Sequence, residues 1–205
     1  MPDDHVTTES QLRETYKQPA GNSVKKELDH LDKHCRAFLA LSPFCVLATS
    51  DPDGKVDASP RGDHPGFAEA PDENTVLLPD RPGNNRLDSL GNIVEHPEVG
   101  LLFMVPGFNE TLRVNGTAEV LREPALCERF AVNGKPARSV LRVHVREVFF
   151  HCAKAFLRSR LWEADAQQDR KSFPTFGTIL ADQTKDGEPA ELDAYIEQRK
   201  KTHMW

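Results

Sequence analysis

The chain has no apolar run near the roughly 20 residues that span a bilayer, which argues against a membrane helix. Its opening, MPDDHVTTES, lacks the basic and apolar segments of a secretory signal, so a cytoplasmic protein is expected. Cations are in deficit: 26 Lys and Arg against 32 Asp and Glu give a formal charge of −6. Nucleic acid and anionic membranes are therefore poor partners, because counterion release needs clustered Lys and Arg. Cysteine is sparse, and Cys35, Cys45, Cys127 and Cys152 form no CxxC pair or metal-ligand spacing. Buried free thiols are the expected state for three of them. There is no GxSxG, GxGxxG, GxxxxGK or HExxH. His30 and His34 stand i,i+4 on an expected helix, but no third ligand is evident, so no metal is expected.

What is present is 205 residues, enough for one domain with extensions, and no internal repeat. Residues 1–22 are polar and aperiodic and read as a mobile tail. From Val24 the apolar positions Val24, Leu28, Leu31, Cys35, Phe38 and Leu39 recur at helical spacing, predicting a helix that stops near Ser42-Pro43. FCVLATS (44–50) reads as a buried strand, and Asp51-Pro52-Asp53-Gly54 as a turn with glycine at positive φ. KVDASPRG follows as a strand that Pro60 pushes to an edge. NTVLLPD is a third strand. Asn84 or Asn85 caps a predicted helix 84–95, which His96-Pro97 ends. EVGLLFMV is apolar enough to be central.

Beyond Pro106-Gly107 the segment 111–120 alternates, with Leu112, Val114, Ala118 and Val120 on one face. Thr111, Arg113, Asn115, Thr117 and Glu119 lie on the other. A short helix near 124–132 precedes the strand RSVLRVHVREVFFH. Its apolar phase flips after Arg146, which predicts a bulge near Arg146-Glu147. Helices are expected at 151–162 and 189–201. Six strands and hairpin turns predict a mainly β chain, a six-stranded antiparallel split barrel with peripheral helices, although pattern alone does not separate a barrel from a sandwich.

Three clusters carry candidate chemistry. At Gly83-Asn84-Asn85-Arg86, just after Arg81, a helix N-terminus with amide and guanidinium donors suits a phosphate. An Asn-capped helix with surface arginines is the commoner meaning of such a segment. Arg61 ends the second strand, where it points into a cleft or pairs with Asp63 in solvent. Arg113 sits on a polar strand face, open either to a ligand or to a cross-strand pair with Glu119 or Glu147. In HCAKAFLRSRLW, Lys154, Arg158, Arg160 and Trp162 gather cations and an indole. That set suits a flat heteroaromatic ring, or uses Trp162 as a core anchor.

These elements, VLATSDPDGKVDASPRGD, TVLLPDRPGNNRLDSLGNIVEHPEVGLLFMVPG, ETLRVNGTAEV and HCAKAFLRSRLW, resemble the pyridoxamine 5′-phosphate oxidase-like split-barrel family over about residues 34–162. The likeness is to its FMN-dependent branch more than to the vitamin-B6 oxidase. The oxidase's Arg-x-x-Leu-Leu-Lys and its closing Arg-Leu-x-Pro are absent, so oxidation of a B6 phosphate is not implied. The resemblance implies an FMN-dependent oxidoreductase acting on a small molecule, with the flavin at a homodimer interface and nicotinamide or deazaflavin as cosubstrate. It implies Arg61 and Arg86 at the FMN phosphate, with Arg81, Asn84 and Asn85 beside them. Backbone at Leu78 and Pro79 would line the isoalloxazine; Thr111 and Arg113 would present polar groups, and Arg160 and Trp162 would close the site from the other subunit. A deazaflavin-dependent reductase of this fold and a non-catalytic flavin- or haem-binding protein are the alternatives. The chain divides accordingly into a tail (1–22), a split-barrel domain with its N-terminal helix (23–162) and a helical extension (163–205). Trp205 is expected to be exposed, a contrast to Trp162.

Overall fold

A computed structural model of the chain describes residues 5–19 and 21–202. Trp205 and the first four residues of the tail lie outside them. The elements run α1 (Glu9–Thr15), α2 (Asn22–Lys25), α3 (Lys33–Leu41), β1 (Phe44–Ser50), β2 (Val56–Gly62), β3 (Thr75–Asp80) and α4 (Asp88–Glu95). Then follow β4 (Glu98–Met104), β5 (Thr111–Leu121), α5 (Pro124–Arg129), β6 (Ser139–His151), α6 (Lys154–Ser159), α7 (Phe176–Thr184) and α8 (Pro189–Thr202). The six strands form one antiparallel sheet in the order β2-β1-β4-β5-β6-β3, curled into a half-barrel with helices outside. This is the split barrel that the strand pattern predicts. Among the described residues, no helix is long and apolar enough to cross a membrane.

Side-chain alternation places one face of the curl inside. Cys45 and Leu47 of β1, Leu101 and Phe103 of β4, and Leu112 and Val114 of β5 are almost fully buried. Val76 and Leu78 of β3, Leu141, Val143 and Val148 of β6, and Leu31, Cys35 and Leu39 at α3 complete this core. Removing such a side chain, Leu101→Ala for example, costs roughly 2–5 kcal/mol. The opposite face is half exposed and carries Val46, Leu102, Met104 and Phe149. Val46 pairs with Leu102, Leu102 with Arg113 and Arg113 with Phe149, so these residues form one row across four strands.

The expected bulge is present. Asn115 pairs with Glu147 and Gly116 with Val145, leaving Arg146 as the extra residue and resetting the inward phase of β6. Only glycine fits opposite it, since a Cβ on Gly116 would lie 1.9 Å from the His144 carbonyl oxygen. Pro60 does mark an edge strand, and β4 is interior.

Several expectations are corrected. The helix predicted from Val24 is two elements, with the longer one starting only at Lys33. Asp32 caps it, its carboxylate accepting the N–H of His34 and Cys35 at 2.9 and 2.8 Å. Leu28 leaves the helical pattern because β3 covers β6 only to His144. The open edge beyond it takes Leu28, whose N–H donates to the Val148 carbonyl at 2.9 Å and whose carbonyl accepts from Val148 at 2.8 Å. His30 and His34 therefore do not share a helix. The helix expected over 84–95 begins at Asp88, because Asn85 and Leu87 take left-handed φ of 61° and 63°. Neither asparagine is its N-cap; the Asn84 side chain instead accepts the Arg86 N–H at 3.1 Å, a local turn that competes with helix. Thr111 is buried. The helix expected over 151–162 is confined to α6, with Arg160 ending it at φ 53°. The 189–201 helix is present as α8, and α7, which it packs against, was not anticipated.

Candidate functional site

The two edges of the curl, β2 and β3, are not hydrogen-bonded to each other. Charge joins them instead. Arg61, inward-facing on β2 opposite buried Cys45, donates from Nη1 to the Asp80 carboxylate of β3 at 2.5 Å. One step outward the signs reverse, and Arg81 Nε donates to Asp63 at 2.7 Å. Arg81 also donates from Nη1 to the Phe130 carbonyl at 2.7 Å, tying the seam to the end of α5. The four side chains are 2–19% exposed, so solvent screens these crossed pairs little.

The seam opens into a cleft of about 850 Å³ lined by β2, the 80–90 segment and the β5 and β6 ends. Its volume is in the upper part of the range for small-molecule sites. Along the β2 wall, Ser89 at the start of α4 donates to the Asp57 carboxylate at 2.6 Å, fixing that helix to the strand. The connecting loop presents Gly83, Asn84, Asn85, Arg86 and Leu87 to solvent. Arg86 Nε donates to Asp88 at 2.8 Å; this bond holds the guanidinium more firmly charged and draws the Asp88 carboxyl below its ordinary range. Asn85 is engaged from the start of β6, where its amide oxygen accepts from Arg138 Nη1 at 3.0 Å.

One atom in this arrangement is left over. Arg61 Nε is buried and has no hydrogen-bond partner. An unmet buried donor costs roughly 1–3 kcal/mol, and more when it is charged. Arg61 lines the cleft, and an anionic oxygen there would satisfy this donor once the guanidinium turned outward, so the cleft fits a phosphate-bearing group. The Arg61 charge also reaches Cys45: burial pushes that thiol up to about 12, and Arg61 opposes the shift.

Of the candidate residues, Arg61, Pro79, Arg81, Asn84, Asn85 and Arg86 come together around this cleft. Leu78 does not line it; its side chain is core. Thr111, Arg113, Arg160 and Trp162 do not line it either. Arg113 lies on the outward face over the Phe149 ring, 5.2 Å from its centroid. Neither cross-strand ion pair considered for it forms, since Glu119 takes Arg142 and Glu147 takes Asn115. Arg160 is held by Asp165 and Glu163 at 2.5 and 2.7 Å. Trp162 stacks on Phe156 at 5.6 Å and donates from Nε1 to the Phe108 carbonyl at 2.7 Å, bracing the Pro106-Gly107 turn. Asp80, Asp57, Arg122 and Arg138 belong to the cleft and were missed, and Asp63, considered as a solvent partner of Arg61, pairs with Arg81 instead. A charge at a strand end reads like any surface charge until the sheet order is known.

An open antiparallel half-barrel with peripheral helices is the split-barrel class of domain, here with an arginine-rich cleft at its seam. The chain belongs to the pyridoxamine 5′-phosphate oxidase family, whose profile matches residues 31–152. No curated protein matches it significantly. Among solved structures it is similar to HupZ of Group A Streptococcus, with 17% identity over 58% of this chain and 92% of that one, at a TM-score of 0.48. An FMN-binding protein of Syntrophomonas wolfei is 13% identical over 57% of this chain and 83% of that one, at 0.46. An F420 reductase is 18% identical over 55% and 94%, at 0.42. Likenesses of this size carry no argument about ligand or reaction.

Proposed function

We propose that this protein binds FMN in the seam cleft and is an FMN-dependent oxidoreductase acting on a small molecule, assembled as a cytoplasmic two-fold homodimer. The observation that carries the reading is the unpartnered, buried Nε of Arg61 beside an arginine-rich cleft. Arg61 and Arg86 hold the phosphate, with Arg81, Asn84 and Asn85 shaping the loop around it. The Leu78-Pro79 backbone borders the ring. When bound, FMN supplies hydride and electron transfer; the protein contributes binding, orientation and charge. No side chain of the cleft is assigned as an acid or base.

The outward sheet face supports the dimer reading. Val46, Leu102, Met104 and Phe149 are half exposed there, and an apolar strip of this kind favours a self-complementary contact. Arg113 lies in that row, so the contact brings Arg113 to the interface, while Thr111 is buried within its own chain. Arg160 and Trp162 are likewise assigned to the partner's cleft, since they do not line their own.

The test is denaturing release and mass identification of the small molecule that co-purifies, followed by FMN titration of the stripped protein. Release of FMN, and a 10- to 100-fold weaker affinity in Arg86→Ala, are expected for one lost charge-assisted contact. Arg13→Ala, in α1, should leave affinity unchanged. Haem in place of flavin, or reduction by reduced deazaflavin without bound FMN, would sink the proposal. Reduction of the bound FMN by nicotinamide nucleotides would identify the cosubstrate.

A further inference from the structure

Arg86 stands on an exposed loop, and its place at the cleft is set from β2 through one chain of bonds. Asp57 of β2 lines the cleft and accepts from Ser89 Oγ at 2.6 Å. That length belongs to a charge-assisted bond, and Ser89 is only 3% exposed, so water competes little for its hydroxyl. Ser89 is the second residue of α4, and Asp88, the first, accepts from Arg86 Nε at 2.8 Å. One turn further on, Asn92 Nδ2 donates to Thr49 Oγ1 at 3.0 Å and ties the same helix to β1. The entry to α4 is strained, with Leu87 at a φ of 63° and no side-chain cap among the described residues, so these tethers have to hold it.

Asp57 and Arg61 lie on the same half-buried side of β2. A carboxylate there works against an anion in the cleft, and an apolar contact would fasten a helix to a strand without that opposition. Its charge also bears on the Arg86 guanidinium, which it helps to keep protonated. We propose that Asp57 and Ser89 are positioning residues for the anion site. β2 fixes Arg61 directly and fixes Arg86 through the Asp57–Ser89 bond and Asp88, so one strand sets the spacing of both guanidinium groups before the ligand arrives. A loop ordered in advance spares the ligand that cost and tightens binding. The role rests on the reading of the cleft as the FMN phosphate site. If the bond only held α4 to the sheet, its loss would lower stability without any selective effect on the phosphate.

The experiment titrates the stripped protein with FMN, with riboflavin, which lacks the phosphate, and with inorganic phosphate, and measures its urea midpoint. Ser89→Ala, Asp57→Asn and Asp57→Ala are compared with wild type and with Val148→Ala, a core variant outside the cleft. Ser89→Ala should weaken FMN about 10-fold and leave riboflavin within about threefold of wild type. Asp57→Asn keeps an acceptor for the hydroxyl and should bind FMN at least as tightly as wild type. Asp57→Ala should bind it about 10-fold more weakly than Asp57→Asn. Val148→Ala should lower the urea midpoint and leave the ratio of FMN to riboflavin affinity unchanged. Equal losses of FMN and riboflavin, unchanged FMN affinity in Ser89→Ala, or Asp57→Ala matching Asp57→Asn overturn the proposal. If Ser89→Ala does not fold, the two Asp57 variants decide alone. If wild type takes up no FMN the flavin reading fails, and inorganic phosphate decides the tether. A loss of about 10-fold in Ser89→Ala then upholds it, and no loss, or no phosphate binding by wild type, overturns it.

Discussion

Asp80→Asn separates what the seam does for stability from what it does for binding. The substitution keeps the side chain's shape and removes the charge that faces Arg61 at 2.5 Å. Exposed ion pairs contribute at most about 1 kcal/mol, whereas breaking a fully buried one costs roughly 3–5. With Arg61 19% and Asp80 11% exposed, the pair lies toward the buried end, and a loss of about 2–3 kcal/mol is expected. Arg61→Gln should cost a similar amount, and the double variant less than the sum by about 1–2 kcal/mol, because the two share one interaction. Urea unfolding of the four proteins measures this. Flavin affinity should then divide the variants in the opposite way. On the flavin reading, Arg61→Gln removes a phosphate contact and should weaken FMN about 10- to 100-fold. Asp80→Asn releases the guanidinium from its internal anion, so FMN binds as tightly or more tightly although the fold is weaker. Additive stabilities would refute the coupling, and equal flavin loss in both single variants would show that Arg61 only shapes the cleft.

Gly116→Ala should cost more than about 3 kcal/mol or leave the protein insoluble, because its Cβ meets a backbone carbonyl, which cannot swing aside; a melting temperature within a degree of wild type would contradict the bulge geometry. Leu102→Asp, on the half-exposed outward face, should turn a dimer burying more than about 1,200 Å² into a folded monomer in sedimentation. A wild-type monomer at micromolar concentration removes the dimer from the reading. Trp162→Phe should abolish flavin-dependent quenching of tryptophan fluorescence, and quenching unchanged in that variant makes Trp162 only a brace for the Phe108 turn. Burial pushes the Cys35 and Cys45 thiols up to about 12, so at pH 8 both should resist a thiol reagent while exposed Cys152 reacts fast. Their reactivity should appear only with unfolding, and fast labelling of Cys45 in the native protein would contradict its place in the core.

Local pattern was enough for the strands. Period-two alternation marks Thr111–Leu121, the phase flip at Arg146 marks the bulge, and Pro60, unable to donate to a ladder, marks the edge strand. Each is a property of a residue and its immediate neighbours. Helix starts were less legible, because side-chain turns at Asn84 and Asp32 compete with the helical spacing that apolar residues suggest. Leu28 was lost for a related reason: its helical periodicity yields to an open strand edge more than a hundred residues later in the chain.

The site divides along the same line. The arginines around Gly83-Asn84-Asn85-Arg86 and at Arg61 were visible as residue types that suit an anion. Which of them keeps a free charge was not. Arg61 meets an acid 19 positions away and Arg138 an amide 53 positions away, and only the curl that brings β2 against β3 sets those partners. Composition and spacing determined that this chain builds antiparallel strands with cations at their ends, and the family resemblance made the sheet a barrel rather than a sandwich. The tertiary structure decided which charges cancel and which remain for a ligand, because cancellation depends on distance in space and not on order along the chain.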